Sequence, residues 1–211
     1  MCFSATSSFA AAGMLSGIGL LSVLHVRKAR DYALALVPFG FAMQQLAEGI
    51  IWQRYGYFSD QELVQAMAYV FLIIAFVVWP VWIPGALWMR ERAASRKKIL
   101  FYFLLWGLVV AAYAVYTLIF NVVGVRILNH SIAYMLSDQH VQGQMVYLIS
   151  YVIATVVSFF ISSKKLHWLF GILIASGLLA AYVVWSITFI SVWCFFAALV
   201  SMLILVDMYS E

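Results

Sequence analysis

Seven apolar stretches, each near the roughly 20 residues that cross a hydrocarbon layer as a helix, leave this chain few folds to choose from. They run Ser8–Val26, Tyr32–Gln53, Leu63–Met89, Ile99–Val123, Met145–Ser162, Leu166–Val184 and Ile187–Val206. Lipid supplies no hydrogen bonds to a backbone, so a spanning segment is either a helix or a strand of a closed barrel. These stretches are apolar throughout and do not alternate, which excludes the barrel. The sequence predicts an all-α polytopic membrane protein: one domain over residues 1–211, with seven transmembrane helices. Composition agrees: 9% of residues are charged, against roughly 25% in soluble domains, and mean hydropathy is +1.02.

Charge placement predicts the orientation. Of the twelve basic residues, all but Arg54 and Arg126 fall in three alternate connections. Arg27, Lys28 and Arg30 lie in the first, Arg90 to Lys98 in the third, and Lys164 and Lys165 in the fifth. By the positive-inside rule those connections are cytoplasmic, so the N-terminus faces outward and the C-terminus inward. The first stretch has no basic run before it and no small-residue cleavage site, and so reads as a retained helix. No basic stripe lies on a soluble face, so nucleic acid is not an expected partner. The lipid bilayer is.

Small residues point to helix contacts. Gly13 and Gly17 form a small-xxx-small pair in the first stretch, and Ser176/Ala180 and Gly177/Ala181 do so in the sixth. Close backbone approach is how helices associate in lipid, so all are expected at interfaces. Pro80 and Pro84 are expected to kink the third helix.

Glu48 is the acidic side chain that falls deep inside an apolar stretch, and a carboxylate there costs roughly 2.5–3.5 kcal/mol on insertion scales. Gln44, Glu48 and Trp52 share a helix face, with Gln45 alongside. Five residues at 1.5 Å each place Glu48 about 8 Å from the outer boundary, and Cys194 in the last stretch lies about 12 Å deep from the same side. Cys2, His130 and His140 approach from that side too. Cys2, Glu48, His130 and Cys194 together make a mixed thiolate, carboxylate and imidazole set of the kind that holds zinc. Cys2 and Cys194 also allow one disulfide pairing in an oxidising compartment. Removal of Met1 would leave the Cys2 thiol beside a free α-amine, an arrangement for nucleophilic catalysis with Glu48 as its partner. Gln44, Gln45, Trp52 and Trp193 are the expected ligand-binding neighbours. His25 and His167 sit at stretch ends, where surface roles are expected.

Four pieces of the chain carry a resemblance: Met1-Cys-Phe-Ser-Ala-Thr6, Gln44-Gln-Leu-Ala-Glu-Gly-Ile-Ile-Trp52, Val78-Trp-Pro-Val-Trp-Ile-Pro84 and Ile190-Ser-Val-Trp-Cys-Phe-Phe-Ala-Ala198. Together they resemble a family of uncharacterised bacterial seven-helix membrane proteins. The resemblance implies a multi-pass protein of the bacterial inner (cytoplasmic) membrane, and it brings no activity with it.

Sharper families fail on residues. Every lysine lies in a connection, so no Schiff-base lysine for retinal exists. No His-x-x-x-His or His-Glu-x-x-His occurs, which removes the zinc-binding seven-helix ceramidase pattern. No phosphate loop or internal repeat is visible. Three function classes stay open. The favoured one, because the polar groups converge at one shallow outward-facing level that a lipid head group could reach, is an enzyme there, holding zinc and acting on a lipid or other small apolar substrate. Another is a proton-coupled carrier that titrates Glu48, with the lack of a second buried charge standing against it. The third is an assembly protein with no chemistry.

Overall fold

Seven apolar helices and one β-hairpin make up the computed structural model, which describes residues 4–128, 130–137 and 141–209. The helices are α1 (Ala5–Leu24), α2 (Ala29–Arg54), α3 (Phe58–Arg90), α4 (Ala94–Phe120), α5 (Met145–Ile161), α6 (Lys165–Val184) and α7 (Phe189–Tyr209). Among the described residues six are long and apolar enough to cross a membrane, and the helix of which α5 is the apolar part begins at Val141. The connections α1–α2, α3–α4 and α5–α6 lie together at one end, here the basic end. There the Arg96 guanidinium donates to the last carbonyls of α5, at 3.4 Å to Ile161 and 2.9 Å to Ser162, as cations do at helix C-termini.

The opposite end carries a feature that the apolar pattern concealed. Strands β1 (Val123–Leu128) and β2 (Ser131–Leu136) pair antiparallel, with Leu128 opposite Ser131. The two-residue turn contains His130 at φ 58°, a left-handed conformation in which His is several-fold enriched. Val123, Val125 and Ile127 of β1 pair with Leu136, Tyr134 and Ile132 of β2. Val123, Val125, Ile132, Tyr134 and Leu136 pack on the bundle and Ile127 is half-buried, while Gly124, Arg126 and Leu128 face away. Strand geometry requires this, since alternate residues take opposite faces. The fourth stretch accordingly ends as a helix at Phe120 rather than at Val123.

Proline chemistry explains how α3 meets its neighbours. Pro80 has no N–H, so the carbonyls it would satisfy in α or π geometry, those of Phe76 and Ala75, lose their intrahelical donor. The backbone passes through a π-turn at Ile74–Val78, and α5 supplies the missing donors. Tyr147 Oη donates to Phe76 O at 3.3 Å and Tyr151 Oη to Ala75 O at 2.7 Å. Pro84 likewise frees the Pro80 carbonyl, and Gly107 of α4 lies so close to it that any Cβ there would collide with backbone. That approach is why position 107 is glycine.

The small-residue pairs are corrected in part. Gly177 and Ala181 are buried, with Gly177 against Phe196, as an interface requires. Ser176 and Ala180 are exposed, as are Gly13 and Gly17, which have no neighbour within contact distance of an added Cβ. In α1 it is Gly19 that packs, against Phe39.

Candidate functional site

Glu48 is wholly buried near the hairpin end of α2, beneath β2. Gln45, one turn earlier, donates from Nε2 to Glu48 Oε2 at 3.3 Å, and Tyr134 of β2 donates from Oη to Oε1 at 3.3 Å. The Tyr134 ring is fixed in place by stacking on Phe71 of α3, with centroids 4.7 Å apart. The hairpin therefore delivers a hydroxyl to a carboxylate that lies inside the bundle. In sequence Tyr134 reads as one of the polar residues of the connection on this side, with no role at the site, although the alternation of Val-Gly-Val-Arg-Ile-Leu over 123–128 was the available signal for a strand beside it.

Gln44, on the neighbouring face of α2, ties three helices together. Trp79 Nε1 donates to its Oε1 at 2.9 Å, and its Nε2 donates to Phe71 O at 3.4 Å and Cys194 Sγ at 3.7 Å. Its donors and its acceptor are thus all engaged within the protein. Cys194 is buried and unpaired by disulfide. Trp193 donates from Nε1 to Ile174 O at 3.3 Å and stacks on Phe189 at 5.5 Å, so it faces α6 rather than the carboxylate.

Glu48, Gln44, Gln45 and Cys194 thus occupy one polar layer. Trp52 is half-buried beside it, and its Nε1, like Gln45 Oε1, has no hydrogen-bond partner among the described residues. Buried groups in that state are uncommon and mark room for a water or ligand atom. His130 stands exposed at the hairpin tip, four residues along β2 from Tyr134 and so about 13 Å away. Cys2 and His140 lie outside the described residues. Among those described, no three His, Cys, Asp or Glu side chains are arranged to hold a metal ion.

A second polar layer, at the basic end, overturns the expectation that no other charge is buried. Asp31 of α2, Arg90 of α3, His167 of α6 and Asp207 of α7 are each at most 6% exposed. Arg90 pairs through Nε with Asp31 at 2.7 Å and through Nη1 with Asp207. His167 Nε2 lies 3.4 Å from Asp207, and Lys164 Nζ 3.5 Å from it. The other ring nitrogen of His167 meets Ser162 Oγ at 2.7 Å. His167 is therefore a core residue and not a surface one. Asp31 and Asp207 border the apolar stretches, Asp31 directly after Arg30 and Asp207 just past the last stretch, so in sequence they look like solvated charges.

Glu91, just beyond α3, accepts from Ser163 N–H at 2.7 Å and Ser163 Oγ at 2.8 Å, and from the N–H groups of Arg92 and Ala93. Burial raises its pKa, but those bonds outweigh the effect and hold it below the ordinary value. Lys164 is shifted down by burial and by the nearby Arg90 charge, with Asp207 opposing.

Between the layers lies an apolar cavity of about 60 Å³. Trp79 and Cys194, both partners of Gln44, line one part of it. Phe170 and Ile204 line another, each three residues from a member of the basic-end network, and Tyr151, Thr155 and Ser201 edge it as well.

Comparison with protein families now has a structure to refer to. The chain matches, over residues 1–211, the model of a family described as "Family of unknown function (DUF6629)". It belongs to that family. Among curated proteins and among solved structures, none matches the chain. The family description carries no activity, so the functional reading rests on the two layers themselves.

Proposed function

We propose that this chain is a small proton-linked carrier of the bacterial inner membrane, with seven spans and the basic end in the cytoplasm, and that Glu48 is its titrating group. The observation behind this reading is the pair of buried ionisable layers, one holding Glu48 and one holding Asp31, Arg90, His167 and Asp207, with a cavity between them. Intramembrane ionisable groups mark ion and proton pathways. Their placement at opposite ends of one bundle, beside two helices interrupted by π-turns at 74–78 and 153–157, suits a protein that opens alternately. The burial of Glu48 beneath β2 favours this over an enzyme open to lipid.

The test is carboxyl protonation followed by infrared spectroscopy, together with proton uptake into proteoliposomes carrying an internal pH dye. A carboxyl band that titrates, and vanishes along with proton uptake in a folded Glu48→Gln protein, is the expected result. Glu48→Gln proteoliposomes indistinguishable from wild type would end the proposal. The zinc-dependent, lipid-directed reading draws on Glu48 and Cys194 sharing one layer. Elemental analysis decides it: one zinc per chain, lost in Glu48→Gln, would replace the carrier by the enzyme. Reporter fusions at Ser95 and Ser163 should read cytoplasmic and one at Asp60 periplasmic, and the reverse pattern would invert the orientation.

A further inference from the structure

A cleft of about 710 Å³ opens at the basic end, above the buried Arg90–Asp207 network. Its walls carry Lys28, Arg30, Arg92, Lys164 and Lys165, and Arg90 and His167 form its buried floor. Among the described residues, Glu91 is the one acidic side chain in its lining, and the hydrogen bonds from Ser163, Arg92 and Ala93 already engage both of its oxygens. Positive-inside bias explains why cations sit in these connections. It does not explain why five of them face one concavity.

The helix ends add to the same potential. Both α4 and α6 begin at the cleft, with Ala93 and Lys165 in its lining. Neither has a side-chain N-cap or an acidic residue in its first turn. The Ala93 N–H already goes to Glu91 and the Lys164 N–H to Ser162 Oγ, so the helix ends add only the partial positive charge of their remaining first-turn N–H groups. Lys164 and Arg90 spend part of their charge on Asp207 and Asp31. Arg92 and Lys165, both exposed, form no ion pair among the described residues.

We propose that this cleft binds a phosphate-bearing anion. Cations converging with two helix N-termini are the general chemistry of phosphate recognition, and basic pockets between transmembrane helices take phospholipid head groups. The cleft is large enough for a head group or for a soluble phosphate compound. The inference stands on the basic end alone and is independent of what Glu48 does.

The test uses full-length protein in neutral detergent, with thermal unfolding read against three additions: inorganic phosphate, sodium chloride at matched ionic strength, and micelles doped with phosphatidylglycerol. The variant is Arg92→Gln/Lys165→Gln, which touches neither the buried network nor a helix contact. Phosphatidylglycerol should raise the unfolding temperature of the wild type, with an apparent affinity about 20–30-fold weaker in the double variant, as removal of two near-surface charges implies. A shift from inorganic phosphate that matched chloride does not reproduce, and that the variant loses, assigns the site to a soluble phosphate compound. A shift confined to phosphatidylglycerol assigns it to the lipid. Equal shifts in wild type and variant, no shift from either phosphate source, or a shift that chloride reproduces would each overturn the proposal.

Discussion

The two polar layers meet the same problem, a carboxylate inside a membrane bundle, in different ways. At the basic end Asp31 and Asp207 are held by Arg90, with His167 and Lys164 added on Asp207. At the hairpin end Glu48 takes its two described hydrogen bonds from an amide and a phenol. An ion network in a low-dielectric interior locks its members, because loss of one strands the charges of the rest. Neutral donors hold a carboxylate more weakly than a guanidinium does. The first arrangement suits a clamp, and the second a switch.

Breaking the clamp should have the largest effect. Arg90→Met keeps the volume and removes the shared cation, leaving Asp31 and Asp207 buried without it. The expected loss is about 3–5 kcal/mol, seen as a large fall in unfolding temperature or as failure to accumulate in the membrane. A variant as stable as wild type would show that the network is not held by charge. Glu91 comes next. Its folded pKa lies below its unfolded value of about 4.5, so its contribution is complete above that pH and is lost as pH falls through the folded pKa. Glu91→Gln should cost about 1–2 kcal/mol at neutral pH and flatten the acid limb of a stability-versus-pH curve. An unchanged acid limb would assign that limb to other carboxylates.

At the hairpin end the contrast sharpens. Tyr134→Phe keeps the stack on Phe71 and removes the hydroxyl, so stability should fall by only about 0.6 kcal/mol, the average for such bonds within membranes. The titration of the carboxyl band should move nonetheless. A loss as large as that of Arg90→Met would make both layers structural clamps. The one substitution expected to cost nothing is Gly17→Ala on the open face of α1, which should be neutral or stabilising by up to about 1 kcal/mol. A clear loss there would show that α1 is covered by something outside the chain.

Helix existence was legible because hydrocarbon enforces it, and Glu48 stood out because the sixteen residues before it and the five after it carry no charge. Other features hid for specific physical reasons. The strand alternation at 123–128 merges into an apolar run, so a hairpin and a helix end read alike there. Asp31 and Asp207 adjoin arginines or the chain end, and only the fold shows that Arg90 reaches both. The Gly13/Gly17 pair satisfies a spacing rule that says nothing about which face meets a neighbour, and Gly107, which has the same spacing to Ala111, could not be told apart from it in sequence. Its need for glycine comes from a carbonyl on another helix.

The tyrosine donors to α3 bear on the order of synthesis. Tyr147 and Tyr151 lie 71 and 76 residues after the carbonyls they serve. When α3 first leaves the ribosome, those two carbonyls have neither an intrahelical donor nor the later helix. Hydrocarbon is a costly place for such groups to wait. The middle of α3 therefore has reason to stay beside a protein channel or a water-filled path until α5 emerges, and to commit to lipid only then, so that α3, α4 and α5 enter the membrane as one cohort rather than singly.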